Sequence, residues 1–274
     1  MTRMLLVVFF AIVAVCSCQY VLIDKREDLL EPEPLVPLPD GRIVGGWPVN
    51  ITSHPYQASF HNWHRHSCGG VLIAPDWIVT AAHCVSAGPH RYSFRLGSHL
   101  WASGGTVLMA THLLRHAQYN ATTIDYDIAL VRLSMAQSAV EDIIGYAQLP
   151  PEGWHPTAGS LATVAGWGTP FAGGSLMDEL QEVTVPIVNN ESCQEFYSDL
   201  SNRTGIFITD RMVCAGFTEG GQDACSGDSG GPLMVDGYLT GIVSWGNGCA
   251  RAGFPGVYAS VPHFVPWIKE ITGL

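Results

Sequence analysis

The feature that most limits the fold of this chain is a rhythm of short apolar runs, rich in branched and aromatic residues, with glycine, proline and small polar residues between them. Six such runs come first: Tyr56–Phe60, Gly70–Ile73, Trp77–Thr80, Tyr92–Leu96, Thr106–Met109 and Ile128–Leu133. Six more follow: Leu161–Trp167, Leu180–Ile187, Arg211–Gly216, Gly231–Val235, Tyr238–Trp245 and Gly256–Ser260. Runs of this length and composition, bounded by turn residues, read as strands of an all-β fold. The segment from about 136 to 159 is strand-poor, carries Pro150, Pro151 and Pro156, and reads as a linker. Only the end of the chain, about 263–272, has helical spacing. There Phe264, Trp267, Ile268 and Ile271 share one face, with Pro266 placed in the first turn. The simplest architecture is two β-domains, about 57–135 and about 160–262, closed by a terminal helix. The chain is long enough for two separate cores.

The first 42 residues are of a different kind. Met4 to Cys16 form an unbroken apolar run behind Arg3, too short to span a bilayer and suited to the core of a secretory signal. Residues 1–18 read as that signal. Cleavage after Cys18 removes two of the eight cysteines and leaves an even six, which suits an oxidising, extracellular compartment. No later apolar run approaches membrane-spanning length, so the expected mature product is secreted and free of the membrane. Residues 19–42 carry six carboxylates and the proline-laden run Glu31–Asp40, which favours extended, solvated chain. On composition alone this is a propeptide or an ordinary flexible tail. The basic signal Gly41-Arg42, with Ile43-Val44-Gly45-Gly46 starting the globular region abruptly behind it, decides for a propeptide and leaves 43–274 as the functional domain.

The chain carries 24 Asp and Glu against 13 Lys and Arg, a formal net charge of −11. Nothing in that balance offers an electrostatic footprint for nucleic acid, and that class is set aside. Lys269 is the only lysine after residue 42, a weak hint of a protease-rich setting such as a gut lumen.

The chemistry concentrates in Gly221–Leu233, where four glycines and two serines surround two carboxylates. Dense glycine lets the backbone turn sharply and leaves N–H groups free to face a developing oxyanion beside a nucleophilic hydroxyl. Ser229 is the candidate nucleophile, with the N–H groups of Gly227 and Ser229 facing the oxyanion. A serine hydroxyl needs a histidine base and an orienting carboxylate. His83 ends an apolar strand among small residues in Trp77–Cys84, which leaves space around an imidazole. Asp127 stands at the mouth of the apolar run Ile128–Leu133, where a half-buried carboxylate needs a partner that an imidazole Nδ1–H supplies. Asp125, two residues earlier, is expected to face solvent. His61, His64 and His66 lack a cysteine or carboxylate to complete a metal set and read as a solvated loop.

Taken in order, Ile43-Val-Gly-Gly, Thr80-Ala-Ala-His-Cys84, Asp127-Ile-Ala-Leu130, Gly227-Asp-Ser-Gly-Gly-Pro232 and Ser244-Trp-Gly246 resemble the chymotrypsin family of serine proteases, trypsin branch, from Ile43 to the C-terminus. The resemblance implies two six-stranded antiparallel β-barrels with His83 and Asp127 on the first, Ser229 on the second, and the active site between them. It places Asp223 at the base of a substrate pocket, Ala224 beside it, and Gly246 and Gly256 in its walls, and it matches Tyr197 to a flanking tyrosine. A carboxylate at the bottom of a narrow pocket favours a cation from substrate, so Arg or Lys is expected before the cut. Ser244, Trp245 and Gly246 offer an extended edge to the substrate backbone. Among the fifteen pairings open to six cysteines, the resemblance selects Cys68 with Cys84, Cys193 with Cys214, and Cys225 with Cys249. A further bridge of many vertebrate trypsins would fall at Ala162 and Val235, and both ends are missing together. The resemblance also implies activation by a trypsin-like protease cutting after Arg42, so that the Ile43 ammonium pairs with Asp228.

No cofactor or metal is expected. Gly97–Ile124, where calcium-holding trypsins place carboxylates, contains no Asp or Glu. Expected partners are protein or peptide substrates, an activating protease and protein inhibitors. Sequons at Asn50, Asn120, Asn190 and Asn202 make the chain a candidate glycoprotein. Two rivals to a digestive endopeptidase stay open: a catalytically silent homologue, which would normally lack a triad member, and a selective processing protease.

Overall fold

The computed structural model describes residues 43–140 and 143–274. The signal and propeptide readings, with Arg42, lie outside the described residues.

Each of the twelve expected runs contains a strand, and a two-residue strand, β1 (Trp47–Pro48), precedes them. β2 (Gln57–Asn62), β3 (Arg65–Ala74), β4 (Trp77–Thr80), β5 (Tyr92–Leu96), β6 (Thr106–Arg115) and β7 (Ala129–Leu133) close an antiparallel barrel in the order β2-β3-β4-β7-β6-β5. β8 (Leu161–Gly166), β9 (Gln181–Val188), β10 (Met212–Ala215), β11 (Pro232–Val235), β12 (Tyr238–Trp245) and β13 (Gly256–Ser260) close a second, in the order β8-β9-β10-β13-β12-β11. β1 attaches to β9 outside that ring, Trp47 opposite Glu182. The strands obey the pleat. Along β9, Gln181, Val183, Val185 and Ile187 are buried, and the residues between them are half-buried.

In the first barrel Phe60 stacks on Phe94 with ring centroids 4.6 Å apart and meets Tyr92 edge-on at 5.0 Å. Burying each such side chain stabilises the fold by about 1.5–3 kcal/mol. The packing leaves no room at Gly70, where a Cβ would stand 2.9 Å from Ile78 Cγ2 and 3.1 Å from Phe94 Cε1. Between the barrels lies a further core, in which Val71, Val79, Ile128 and Leu130 of the first meet Met234, Leu239 and Ile242 of the second.

That shared core is covered by α2 (Val261–Thr272), which lays Phe264, Val265 and Ile268 onto it. The helix begins before the expected position, so Pro266 lies in its interior and not in its first turn. Its ring removes one backbone donor, a loss offset by the apolar face the helix buries. The helix ends at Gly273, whose positive φ of 78° lets its N–H reach Lys269 O at 2.9 Å.

A second helix, α1 (Asn190–Thr204), corrects the expectation that only the chain end is helical. Asn189 caps it, accepting from the N–H groups of Glu191 and Ser192, and Gly205 closes it with φ 75°. Its buried stripe is Cys193, Tyr197 and Ser201, flanked by the half-buried Phe196 and Leu200, which pack on the same cluster. The Cys193–Cys214 disulfide and a 2.8 Å bond from the Tyr197 hydroxyl to Pro255 O tie it to the second barrel.

Candidate active site

His83 sits in a single 3-10 turn, Ala82–Cys84, at the end of β4, and Asp127 lies just before β7. β4 and β7 are paired, Thr80 opposite Ala129, so the two side chains meet across the ladder although 44 residues separate them. Asp127 is 2 % exposed. Its Oδ1 accepts the His83 backbone N–H at 2.9 Å, and its Oδ2 accepts His83 Nδ1–H at 2.7 Å and the Ser244 hydroxyl at 2.6 Å. A carboxylate accepts only, so the neutral imidazole carries its proton on Nδ1 and turns an acceptor Nε2 outward. The His83 ring is about a third exposed.

Ser229 comes from the second barrel and is placed by its backbone. Gly69 N–H donates to Ser229 O at 2.7 Å, and the Thr80 hydroxyl donates to Gly69 O at 2.8 Å. The barrels approach through bare backbone here, for a Cβ on Gly69 would stand 2.8 Å from Gly231 Cα, and one on Gly230 would strike Gly69 O at 2.5 Å. The Cys68–Cys84 disulfide crosslinks the residues beside Gly69 and His83, and Cys225–Cys249 joins the Ser229 segment to the facing loop. All three pairings agree with expectation. The turn Cys225–Gly231 is held by Asp228 N–H to Cys225 O and Gly231 N–H to Asp228 O. Gly227 takes φ 101° in it. Among the described residues, the N–H groups of Gly227 and Ser229 meet no protein acceptor, which leaves two donors free for an anionic oxygen.

Two of the three clustered histidines overturn the solvated-loop reading. His61 and His66 face each other across β2 and β3, 3 % and 5 % exposed, while His64 stays exposed at the hairpin tip. His66 Nε2 must donate to Gly227 O, 3.0 Å away, so its Nδ1 accepts the Ser59 hydroxyl at 2.8 Å, and that oxygen accepts His61 Nε2–H at 2.9 Å. The chain of bonds ends on the Gly227 peptide. Burial, opposed for His66 by the bond to Gly227, lowers both imidazoles to about 4 and keeps them neutral.

Beside Ser229 opens a cavity of about 300 Å³ lined by Asp223, Ala224, Trp245, Gly246 and Gly256. Asp223 is 4 % exposed; its Oδ2 accepts the Ala250 N–H at 2.9 Å, and its Oδ1 has no partner. The Tyr258 hydroxyl, equally without a partner, stands against the same wall, since a Cβ on Gly256 would lie 2.7 Å from Asp223 Oδ1 and 3.1 Å from the Tyr258 oxygen. Burial, partly offset by N–H bonds from Ala250 and Ala224, pushes Asp223 up to about 7. Sequence reasoning missed Tyr258. Its signal is the strand period, because Gly256 and Tyr258 lie two apart on β13 and share a face.

Asp228 is fully buried, its Oδ1 bonded by Gly168 N–H at 2.7 Å and its Oδ2 by Cys225 N–H at 3.0 Å. Burial, against those two bonds, raises it to about 6. Ile43 is also fully buried, and Val44 pairs with Asp223, so the start of the globular region is threaded into the second barrel.

A family model for trypsin matches residues 43–268. The chain belongs to the trypsin family of serine proteases. This family member is a serine endopeptidase, and its relatives agree over nearly their whole length. It is 41 % identical over 235 residues to "Trypsin 5G1" of Aedes aegypti, covering 85 % of this chain and 86 % of that one. It is 42 % identical to a trypsin of Phaedon cochleariae, over 85 % of this chain and 90 % of the other, and 42 % identical to the vitellin-degrading protease of Bombyx mori, over 90 % and 92 %.

Proposed function

We propose that the domain 43–274 is a secreted digestive endopeptidase, made as a zymogen, that hydrolyses peptide bonds after Arg and, more slowly, after Lys. The observation that carries the specificity is the floor of the cavity, where Asp223 Oδ1 and the Tyr258 hydroxyl are buried without partners. An unpaired buried carboxylate is costly, and a guanidinium reaching down between glycine walls satisfies both oxygens with its planar fork. Lysine is served less well, because Ala224 has no hydroxyl to share in holding an ammonium. Cleaving a peptide library with the activated protein tests the reading; a preference for lysine or for apolar residues before the cut would overturn it.

In this reading Ser229 Oγ attacks the scissile carbonyl while its proton passes to His83 Nε2. Asp127, already accepting Nδ1–H, stabilises the imidazolium, and the Gly227 and Ser229 N–H groups take the oxyanion. The imidazolium then protonates the leaving amine. Water repeats the sequence on the acyl-enzyme with the charges retraced. No triad member is lost, which speaks against a silent homologue.

Activation follows from the buried Ile43 and Asp228. Cutting after Arg42 frees an ammonium on Ile43 as counter-ion for the Asp228 carboxylate, whose neighbours Gly227 and Ser229 carry the oxyanion donors.

A further inference from the structure

The expectation that Asp125 faces solvent fails, and the way it fails assigns work to a residue outside the site. Its carboxylate accepts Arg211 Nε–H at 2.9 Å and Arg211 Nη2–H at 2.8 Å, a two-pronged pair. Thr209 Oγ1 donates to it at 3.2 Å, and so does the Tyr126 N–H at 2.9 Å. The ion pair is largely sheltered, with the Arg211 side chain 24 % and the Asp125 side chain 17 % exposed. It also crosses the molecule: Asp125 precedes β7 of the first barrel, and Arg211 precedes β10 of the second.

The residues on either side of Asp125 are strained. Ile124 has φ 55° and Tyr126 φ 56°, left-handed conformations that a β-branched and an aromatic side chain avoid. Such conformations persist only where the surroundings over-determine them. Arg211 supplies part of that constraint. Its Cζ lies 4.7 Å from the Tyr126 ring centroid, and His116 stacks on the same ring at 4.8 Å. Asn120 N–H closes the loop by donating to Asp125 O at 3.1 Å.

We infer that Arg211 is a positioning residue for Asp127: by gripping Asp125 and covering Tyr126, it holds the strained Ile124–Tyr126 segment so that the next carboxylate in the chain meets His83. Ordinary exposed ion pairs contribute little. This one differs in its two-pronged geometry, its shelter and its place two residues from Asp127. The inference rests on the triad reading above and adds a requirement to it, namely that the second barrel hold Asp127 from outside the cleft as Ser244 does from inside.

The test uses the activated full-length protein, titrated for active sites, with Arg211→Met, Arg211→Lys, Asp125→Asn and the control Asp127→Asn. Expected for Arg211→Met is a kcat lowered about tenfold or more, with KM and the Kd of benzamidine unchanged. The low-field proton resonance of His83 Nδ1–H should broaden or vanish. Arg211→Lys should recover part of kcat, and combining Arg211→Met with Asp125→Asn should cost no more than the worse single change. If Arg211→Met does not fold, the near-isosteric Asp125→Asn carries the same kcat and resonance readouts. A lowered Tm with kcat and the resonance intact would overturn the inference, as would an equal loss of benzamidine binding. If Asp127→Asn lowers kcat and neither Arg211→Met nor Asp125→Asn does, the clamp alone is wrong; if Asp127→Asn has no effect, the triad reading falls and the clamp with it.

Discussion

The Ser244 hydroxyl, on β12 of the second barrel, donates to Asp127 Oδ2, on the first, at 2.6 Å. A hydrogen bond to a buried charge is worth about 1.5–3 kcal/mol, so Ser244→Ala should lower kcat/KM by about tenfold or more. Asp127→Asn should cost far more, because the amide can donate to the imidazole and fix the wrong tautomer, a loss of about 10⁴ in this class of triad. Steady-state kinetics on an arginyl amide substrate decide both, and an Asp127→Asn enzyme as active as wild type would sink the assignment.

Asp223 should respond to its guest. An empty pocket leaves the carboxyl near pKa 7, raised chiefly by burial, so at neutral pH a substantial fraction is protonated. A bound amidinium favours the ionised form and expels that proton. Benzamidine binding should therefore tighten as pH rises through about 7, with proton release visible as a buffer-dependent enthalpy in calorimetry. Asp223→Ser should abolish both the effect and the basic preference while leaving slow hydrolysis of other peptides.

The loop after β5 should need no calcium. Arg95 collects its carbonyls, with Nε–H to Trp101 O at 2.8 Å, Nη2–H to Ala102 O at 3.2 Å and Nη1–H to Gly104 O. A resident guanidinium thus sits where a hard cation would require carboxylates. EDTA should leave Tm unchanged, whereas Arg95→Met should lower it by a few degrees; a calcium-restored melting point would refute this.

Arg42→Gln should give a folded protein that stays inactive after trypsin treatment. Asp228→Asn should be cut at Arg42 normally yet gain little activity, since the Ile43 ammonium finds no counter-ion. Mass spectrometry reports the cut, and full activity with the Arg42–Ile43 bond intact contradicts the mechanism.

The buried imidazoles should make the fold acid-sensitive. His61 and His66 stay neutral in the native state down to about 4, whereas the unfolded chain takes up protons below about 6.5. Their contribution is present above the unfolded pKa and is lost as pH falls from about 6.5 towards 4. Asp223 and Asp228, both raised, act in the opposite sense, so the measurement must isolate one histidine. Between pH 7 and about pH 5 the urea stability of wild type relative to His66→Gln should fall by about 2 kcal/mol; an unchanged difference would argue that His66 takes up its proton equally in the native and unfolded chains.

What could be read ahead of the coordinates was whatever repeats locally. Branched and aromatic runs between turn residues mark the twelve strands, helical spacing marks the buried face of α2, and small or glycine neighbours mark His83 and the turn at Ser229. α1 is missed although Cys193, Phe196, Tyr197 and Leu200 recur at helical spacing, because every other residue of Asn190–Thr204 is polar and dilutes that signal. Asp125 was misplaced because its partner Arg211 lies 86 residues on, a contact that exists only once both barrels are built. The loop reading of His61 and His66 fails because their burial depends on a hairpin register that shifts between Phe60 and His61.

The lid that α2 forms over the inter-barrel core has a bearing on biogenesis. Phe264, Val265 and Ile268 follow both barrels in the chain, so a nascent polypeptide presents Val71, Ile128, Leu239 and Ile242 to its surroundings before their shared cover has been translated. During that interval the hydroxyl of Ser244 and the carboxylate of Asp127 are carried by halves not yet clasped, and a polypeptide stalled short of Val261 would expose a sticky seam to chaperones and proteases.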